Sequence, residues 1–251
     1  MLFGLDFPPV SHLVEWPGIA GTPVNKVMIL TAISAALVFI FFFLAGRKQA
    51  MVPKGIQNAG EAVIDFVEDG IVLQTMGPDA LRWVPFMTTL FSFIFVTNIW
   101  GIVPVAQMPV NARVALPAFL AVLIFFLYNI VGIKSQGLGG YLKSSLFPPG
   151  VPKALYILVT PIEFITVFLV RPFSLAVRLF ANLLAGHLLL VTFALLTAAL
   201  FTAEAFYVAA ALPFVALVAL TGFELLVSVL QAFVFTILAA VYIGGSMHPD
   251  H

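Results

Sequence analysis

Long apolar runs with almost no charge restrict most strongly what this chain can fold into. Residues 27–46, 83–104 and 114–133 are each mostly apolar, and the chain is apolar from residue 154 almost to its end. A helix of about 20 such residues crosses the hydrocarbon core of a bilayer. Only 9% of the residues are charged, against about 25% in a typical soluble domain. The chain is therefore predicted to be an all-α integral membrane protein.

The polar breaks divide the chain into about five spanning helices within a single membrane domain, 1–251. Residues 1–26 are expected to form an outer tail, and residues 56–76 an amphipathic helix at the interface with its acidic residues on one face. Residues 154–203 and 205–246 are predicted to form a channel hairpin of two antiparallel helices. From Arg178 to the turn is about 27 residues, or roughly 40 Å of helix, while the hydrocarbon core is about 30 Å thick. The hairpin is therefore expected to be steeply tilted.

Basic residues set the orientation of this topology. With the N-terminus outside, only Lys26 and Arg113 of the loop residues lie outside. The seven on the inside are Arg47, Lys48, Lys54, Arg82, Lys134, Lys143 and Lys153. Short loops rich in Lys and Arg stay on the cytoplasmic side, so the C-terminus is expected to be cytoplasmic. The net charge of zero argues against nucleic acid as a partner, and the lack of Cys excludes disulfides and thiol chemistry.

Ionisable residues inside predicted spans are the candidates for function, because a charge there costs about 2.5–3.5 kcal/mol on insertion scales. They are Glu163, Arg171, Arg178, His187 and Glu224. At about 100° per residue, two polar stripes emerge on the last two helices. The first contains Arg171, Ser174, Arg178 and Asn182, and the second contains Thr221, Glu224, Ser228 and Gln231. His187 lies on the side of its helix opposite Arg178.

An antiparallel hairpin with its turn near residue 205 would pair these stripes. Arg178 is then level with Gln231, and His187 with Glu224, provided that Pro213 does not interrupt the second helix. Arginine stays protonated in proteins, so Arg178 is predicted to be a fixed charge that faces an anion, most simply a carboxylate of another subunit. His187 and Glu224 can titrate near neutral pH in a perturbed environment and are predicted to form a proton path.

Three segments carry a resemblance to a known family. Residues 171–187, RPFSLAVRLFANLLAGH, resemble the signature of subunit a of rotary F-type ATP synthases. Residues 230–235, LQAFVF, resemble its second signature in the last helix, and residues 98–104, NIWGIVP, resemble the end of its second span. The similarity covers nearly the whole chain in order and spacing.

The resemblance implies a stator proton-channel subunit with no active site, cofactor or metal of its own. Two offset aqueous half-channels would load and unload carboxylates of the rotating c-ring, and so couple proton flow to ATP synthesis. The implied partners are the c-subunit ring, the peripheral-stalk b-type subunits, the rest of the ATP synthase complex and membrane lipid. The implied location is an energy-transducing membrane, expected to be a bacterial plasma membrane.

The resemblance also assigns residues. The essential arginine of the family falls on Arg178, its asparagine on Asn182 and its glutamine on Gln231. The acid and histidine of the outer half-channel appear here as Glu224 and His187. The inner-side acid falls on Glu163, but Pro172 follows it by nine positions where the family pattern has eight. Further candidates are Arg171, Ser174, Ser228 and Glu204.

Plainer roles compete with some of these assignments. Arg171 can snorkel to the interface, Ser174 and Ser228 can bond backbone carbonyls, and Glu204 can be an ordinary loop acid. A stand-alone proton-coupled secondary transporter is the main alternative function, although that class usually has inverted repeats and broken helices, and the sequence shows neither. A haem-binding anchor needs axial ligands at depth. His187 is the one histidine in a predicted span, since His12, His248 and His251 lie near the termini.

Overall fold

The computed structural model describes residues 25–47, 50–103, 110–147, 152, 155–202 and 209–247. The regular structure of these residues is entirely helical. Its principal α-helices are α1 (Lys26–Arg47), α2 (Ile56–Val67), α3 (Val84–Ile99), α4 (Ala115–Leu146), α5 (Tyr156–Ile165), α6 (Arg171–Thr202) and α7 (Ala211–Met247). Two π-helical turns continue α2 and join α5 to α6, namely Glu68–Val72 and Thr166–Val170, and a last α-helical turn, Leu73–Thr75, ends the α2 segment. Short 3-10 turns, Pro78–Trp83 and Val110–Ala112, precede α3 and α4.

Five helical segments are long and apolar enough to cross a membrane. They are Lys26–Arg47, Pro78–Ile99, Ala115–Leu146, Tyr156–Phe201 and Ala211–Met247. Large apolar side chains point outward from them, including Phe39, Phe126 and Phe223. An outer surface of this kind suits lipid and not water. The prediction of an all-α integral membrane protein with about five spans is confirmed.

Helix α4 extends well past residue 133, where the sequence pattern ends the third span. It continues to Leu146 and carries Lys134 and Lys143, which had been expected in a loop. Gly137 interrupts the helical geometry within α4, with φ 74° and ψ 161°. Glycine adopts positive φ without steric penalty, so the chain can change direction there and resume the helix. The polar residues after the span therefore form a kinked helical extension.

The second span also differs at its ends from the predicted range 83–104. It begins with the 3-10 turn Pro78–Trp83, and α3 starts with a proline in its first turn, where the missing N–H costs no helical hydrogen bond. Helix α3 ends at Ile99. Other predicted features lie outside the described residues: the tail over residues 1–24, Lys48, Lys153, Glu204 with the expected turn near residue 205, and the three terminal histidines.

The core forms where α7 packs against α3, α4 and α6. Helix α7 contributes Phe235, Ala239, Ala240 and Ile243, all at most 1% exposed. Their spacing of one to four residues puts them on one side of the helix. Opposite them lie buried side chains of α3 and α4, such as Ile94 and Ile124. This packing holds the middle of α7, and with it the polar stripe one turn earlier, against the rest of the protein.

Candidate functional site

The periodicity of α6 places His187 on its buried side and Arg178 on an exposed side. Leu175, Leu179 and Leu183 are at most 1% exposed, and His187 continues their four-residue spacing at 5% exposed. Residues four apart lie on one face of an α-helix, so His187 is held inside by the same stripe that packs α6. Arg178 precedes Leu179 by one residue, about 100° around the helix, and its side chain is exposed.

The Arg178 guanidinium has no counter-charge among the described residues. No hydrogen bond or ion pair joins its guanidinium to another residue in the described part of the chain. Its neighbours Phe173 and Val177 are exposed apolar side chains. A permanent cation is thus exposed on a spanning helix without a counter-charge among the described residues.

Helix α7 faces α6 with its own polar stripe. Asn182 Nδ2 donates to Gln231 Oε1 at 3.3 Å. A Cβ atom added to Gly186 would lie 3.3 Å from Glu224 Oε1, so the residue before His187 lies directly against the Glu224 carboxyl. This is the antiparallel arrangement expected near Glu224. Gln231 was expected level with Arg178, but it bonds to Asn182, one turn beyond Arg178.

Helix α7 is continuous along the polar stripe, and Pro213 lies in its first turn. Pro213 is the third residue of α7. A proline in the first turn removes an N–H that has no helical acceptor. The condition placed on the pairing, that Pro213 does not interrupt the second helix, is therefore met within α7.

Several buried polar atoms between α6 and α7 have no partner among the described residues. We call this group the polar seam: His187, Glu224, Ser228 and Gln231, each at most 5% exposed. The unpaired atoms are His187 Nδ1, both carboxyl oxygens of Glu224, Ser228 Oγ and Gln231 Nε2. Buried polar atoms are nearly always hydrogen-bonded to protein or ordered water. A cluster of this size has the chemistry of a path for water and protons.

The two serine candidates behave differently. Ser174 Oγ donates to the Arg171 carbonyl at 3.1 Å, so its hydroxyl satisfies its own helix. The Ser228 hydroxyl makes no such bond. Ser174 therefore makes the backbone bond that its plainer role needs, and Ser228 does not.

Two buried asparagines extend the polar seam and were not among the candidate site residues. Asn98 Nδ2 donates to the Ser228 carbonyl at 3.3 Å, and Asn111 Nδ2 donates to Asn98 Oδ1 at 2.7 Å and to Thr97 Oγ1 at 2.8 Å. Both asparagines are fully buried. An amide within a predicted span was a usable signal for Asn98, whereas Asn111 follows the span and only the fold brings it to the seam.

Arg171 and Glu163 lie away from the seam. The guanidinium carbon of Arg171 is 5.2 Å from the centre of the Tyr242 ring on α7, a cation–π contact. Arg171 is half-buried, so its side chain packs against α7. Glu163 is half-buried on α5, with the π-helical turn Thr166–Val170 between it and Arg171.

No site for a metal ion is found in the part of the chain that the structure describes. No group of three or more His, Asp or Glu side chains there could hold a metal ion. The arrangement therefore offers titratable side chains, amides and a fixed cation as its chemistry.

These features define a class of protein: a multi-pass helical membrane protein with titratable groups buried between its last helices, as in proton-translocating proteins. A family model described as ATP synthase A chain matches residues 28–244. The chain belongs to this family, and is a membrane-sector subunit of an ATP synthase that serves ATP synthesis and proton transport.

Similar proteins from several bacteria carry the name ATP synthase subunit a. The chain is 43% identical over 229 residues to that of Frankia alni, covering 90% of this chain and 79% of the relative. It is 42% identical over 249 residues to that of Rhodococcus erythropolis, covering 98% and 89%. It is 38% identical over 259 residues to that of a Nocardioides species, covering 97% and 94%. The resemblance seen in the sequence is confirmed.

Proposed function

We propose that this chain is the stator proton channel of its ATP synthase, a non-catalytic subunit that loads and unloads carboxylates of a rotating c-ring. One observation carries the proposal. Helix α6 exposes Arg178, which has no partner among the described residues, and buries His187 on another face, one position after the Gly186 that lies against Glu224. A fixed cation and a titratable pair on two sides of one helix suit a channel that delivers protons to a charged site on a neighbouring subunit.

Arg178 is the proposed contact with the ring. An arginine in hydrocarbon is costly unless an anion or water meets it, and none of the described residues supplies an anion. A deprotonated ring carboxylate would stabilise the guanidinium and be stabilised by it. Because arginine keeps its proton, its charge would favour loss of the proton from a ring carboxyl group beside it. Arg178 would thereby keep the two half-channels separate.

The polar seam is the proposed outer half-channel. His187 and Glu224 would exchange protons, and water would bridge the unpaired atoms of Ser228 and Gln231. Asn182, bonded to Gln231, lies one helical turn from Arg178 and would form the inner end of this path. Glu204 is proposed near its outer mouth.

The inner half-channel would run past Glu163. Arg178 follows Glu163 by fifteen positions, which is about 22 Å along a helix. With the N-terminus outside and the C-terminus cytoplasmic, Glu163 faces the cytoplasmic side. Arg171 would help to keep that side positively charged.

Helix length supports the proposed tilt of the hairpin. The continuous helix Tyr156–Phe201 has 46 residues and α7 has 37, or about 69 Å and about 55 Å. The hydrocarbon core is about 30 Å thick, so upright helices would extend far into water with apolar side chains. Inclined helices keep those side chains in lipid and offer a long face to a ring.

The other partners proposed for the chain follow from its place in the complex. They are the peripheral-stalk b-type subunits and membrane lipid, in the plasma membrane of a bacterium. The exposed apolar faces of α1 and α4 are available for them.

The test is Arg178→Ala in the complete ATP synthase, reconstituted into vesicles. Removing the fixed charge should lower proton-driven ATP synthesis by at least about a hundredfold, as for other preorganised charges at reaction centres. The c-ring should still co-purify. Val177→Ala is the matched control, because Val177 is the neighbouring residue and is 40% exposed. Normal coupling in Arg178→Ala, or an active chain isolated without a ring, would contradict the proposal.

A further inference from the structure

The junction between α5 and α6 leaves one backbone carbonyl without a backbone donor. In an α-helix the Val167 carbonyl would accept from the N–H of Arg171. Here the Arg171 N–H bonds instead to the Thr166 carbonyl, in the π-helical pattern. The next residue is Pro172, which has no N–H. Val167 is only 2% exposed, so water does not easily replace the missing donor.

Tyr128 of α4 supplies that donor. Its hydroxyl donates to the Val167 carbonyl at 2.6 Å, and its side chain is 1% exposed. The Tyr128 ring also packs edge-on against Tyr242 at 6.0 Å between ring centres. Tyr242 is the ring over which the Arg171 guanidinium lies. Tyr128 thus holds the π-helical turn at the Val167 carbonyl, and Tyr242 contacts Arg171, the residue that follows the turn.

A π-helical turn contains one more residue than an α-helical turn. Its presence rotates everything beyond it by about 100° relative to a continuous α-helix. Glu163 lies before the turn and Arg178 after it.

We propose that Tyr128 is a positioning residue. Its hydroxyl holds the π-helical turn Thr166–Val170, and this turn sets the rotation of Glu163 relative to Arg178. The inference depends on the proposed function only for the roles of Glu163 and Arg178. The bond between Tyr128 and the turn stands independently of those roles.

A double-mutant cycle on the complete complex in lipid tests it. Tyr128→Phe leaves a buried carbonyl unpaired, so amide hydrogen exchange in the segment 166–171 should rise by about fivefold or more. ATP synthesis should fall in parallel. Pro172→Ala restores an N–H, and the Val167 carbonyl then gains a backbone donor in either the π or the α pattern. In that background Tyr128→Phe should change exchange by less than about twofold.

Tyr141→Phe is the matched control. It also removes a buried tyrosine hydroxyl from α4, but that hydroxyl donates to Asn129 Oδ1 at 2.9 Å. Exchange in segment 166–171 should not change. Unchanged exchange in Tyr128→Phe, or equally fast exchange in the double variant, overturns the inference. If Tyr128→Phe does not assemble, assembly of the double variant supports the inference and its failure overturns it. Because exchange does not depend on coupling, these results stay separate from those of Arg178→Ala.

Discussion

Gly186 lets α6 approach the Glu224 carboxyl closely, and filling this space perturbs the polar seam directly. A Cβ atom at this position would lie 3.3 Å from Glu224 Oε1 and 3.6 Å from its Cδ. Gly186→Ala therefore moves the carboxyl by a few tenths of an ångström. We expect a cost below about 1 kcal/mol, which is less than about fivefold in rate.

Gly186→Leu makes a much larger demand on the same space. It places three further carbon atoms where the Glu224 side chain now lies. Overpacking of this kind costs about 1–3 kcal/mol. If this cost raises the barrier to proton transfer, the rate of proton transfer falls by about 5- to 150-fold. The expected order of proton flux is therefore wild type, then Ala, then Leu.

Gly222→Leu is the control for a large side chain placed near Glu224. Gly222 lies two residues before Glu224 on α7, and nothing lies within 4 Å of a Cβ atom built there. Proton flux in vesicles containing the complete complex can be followed with a pH-sensitive dye, with subunit content measured by mass spectrometry. Wild-type flux in Gly186→Leu, or an equal loss in Gly222→Leu, would refute the reasoning.

Two further predictions follow from contacts of the last helix. Glu224→Gln keeps the shape of the side chain but cannot titrate, so proton flux should fall by at least about tenfold at unchanged subunit content; flux at the wild-type level would remove Glu224 from the path. Gly244→Ala places a Cβ atom 3.1 Å from Met76 Cγ and 3.2 Å from the Thr75 carbonyl, whereas Gly245→Ala meets nothing within 4 Å. Thermal denaturation of the solubilised complex should show Gly244→Ala destabilised by about 1–3 kcal/mol and Gly245→Ala stabilised by about 0.5–1 kcal/mol, and shifts of the same sign would contradict the packing.

Much of the candidate site follows from helical periodicity. His187 shares the four-residue spacing of Leu175, Leu179 and Leu183, and Arg178 does not. One face of α6 is therefore apolar enough to be buried, and the residue types alone indicate which polar group goes with it. The pairing of α6 with α7 near Glu224 was predicted for the same reason, because two antiparallel helices of known rise bring fixed residues to one depth.

Periodicity failed where a local break or a long-range bond decided the outcome. The extension of α4 past Lys134 depends on the positive φ of Gly137, and nothing in the polar residues that follow it distinguishes a kinked helix from a loop. The contact of Arg171 with the Tyr242 ring joins two separate helices. Each of these outcomes depends on a contact with another helix or on a backbone angle, and the spacing of apolar residues along the sequence indicates neither.

The sequence by itself determined that this chain lies in a membrane, that it has about five spans, and which residues carry charge within them. These properties follow from the free energy of placing each side chain in lipid, which depends on residue type and order along a helix. Only the tertiary structure decided that Asn111 reaches the polar seam and that Tyr128 completes the backbone bonding of the α5–α6 junction. Both are hydrogen bonds between separate elements, and a buried polar group finds such a partner only after the helices have packed.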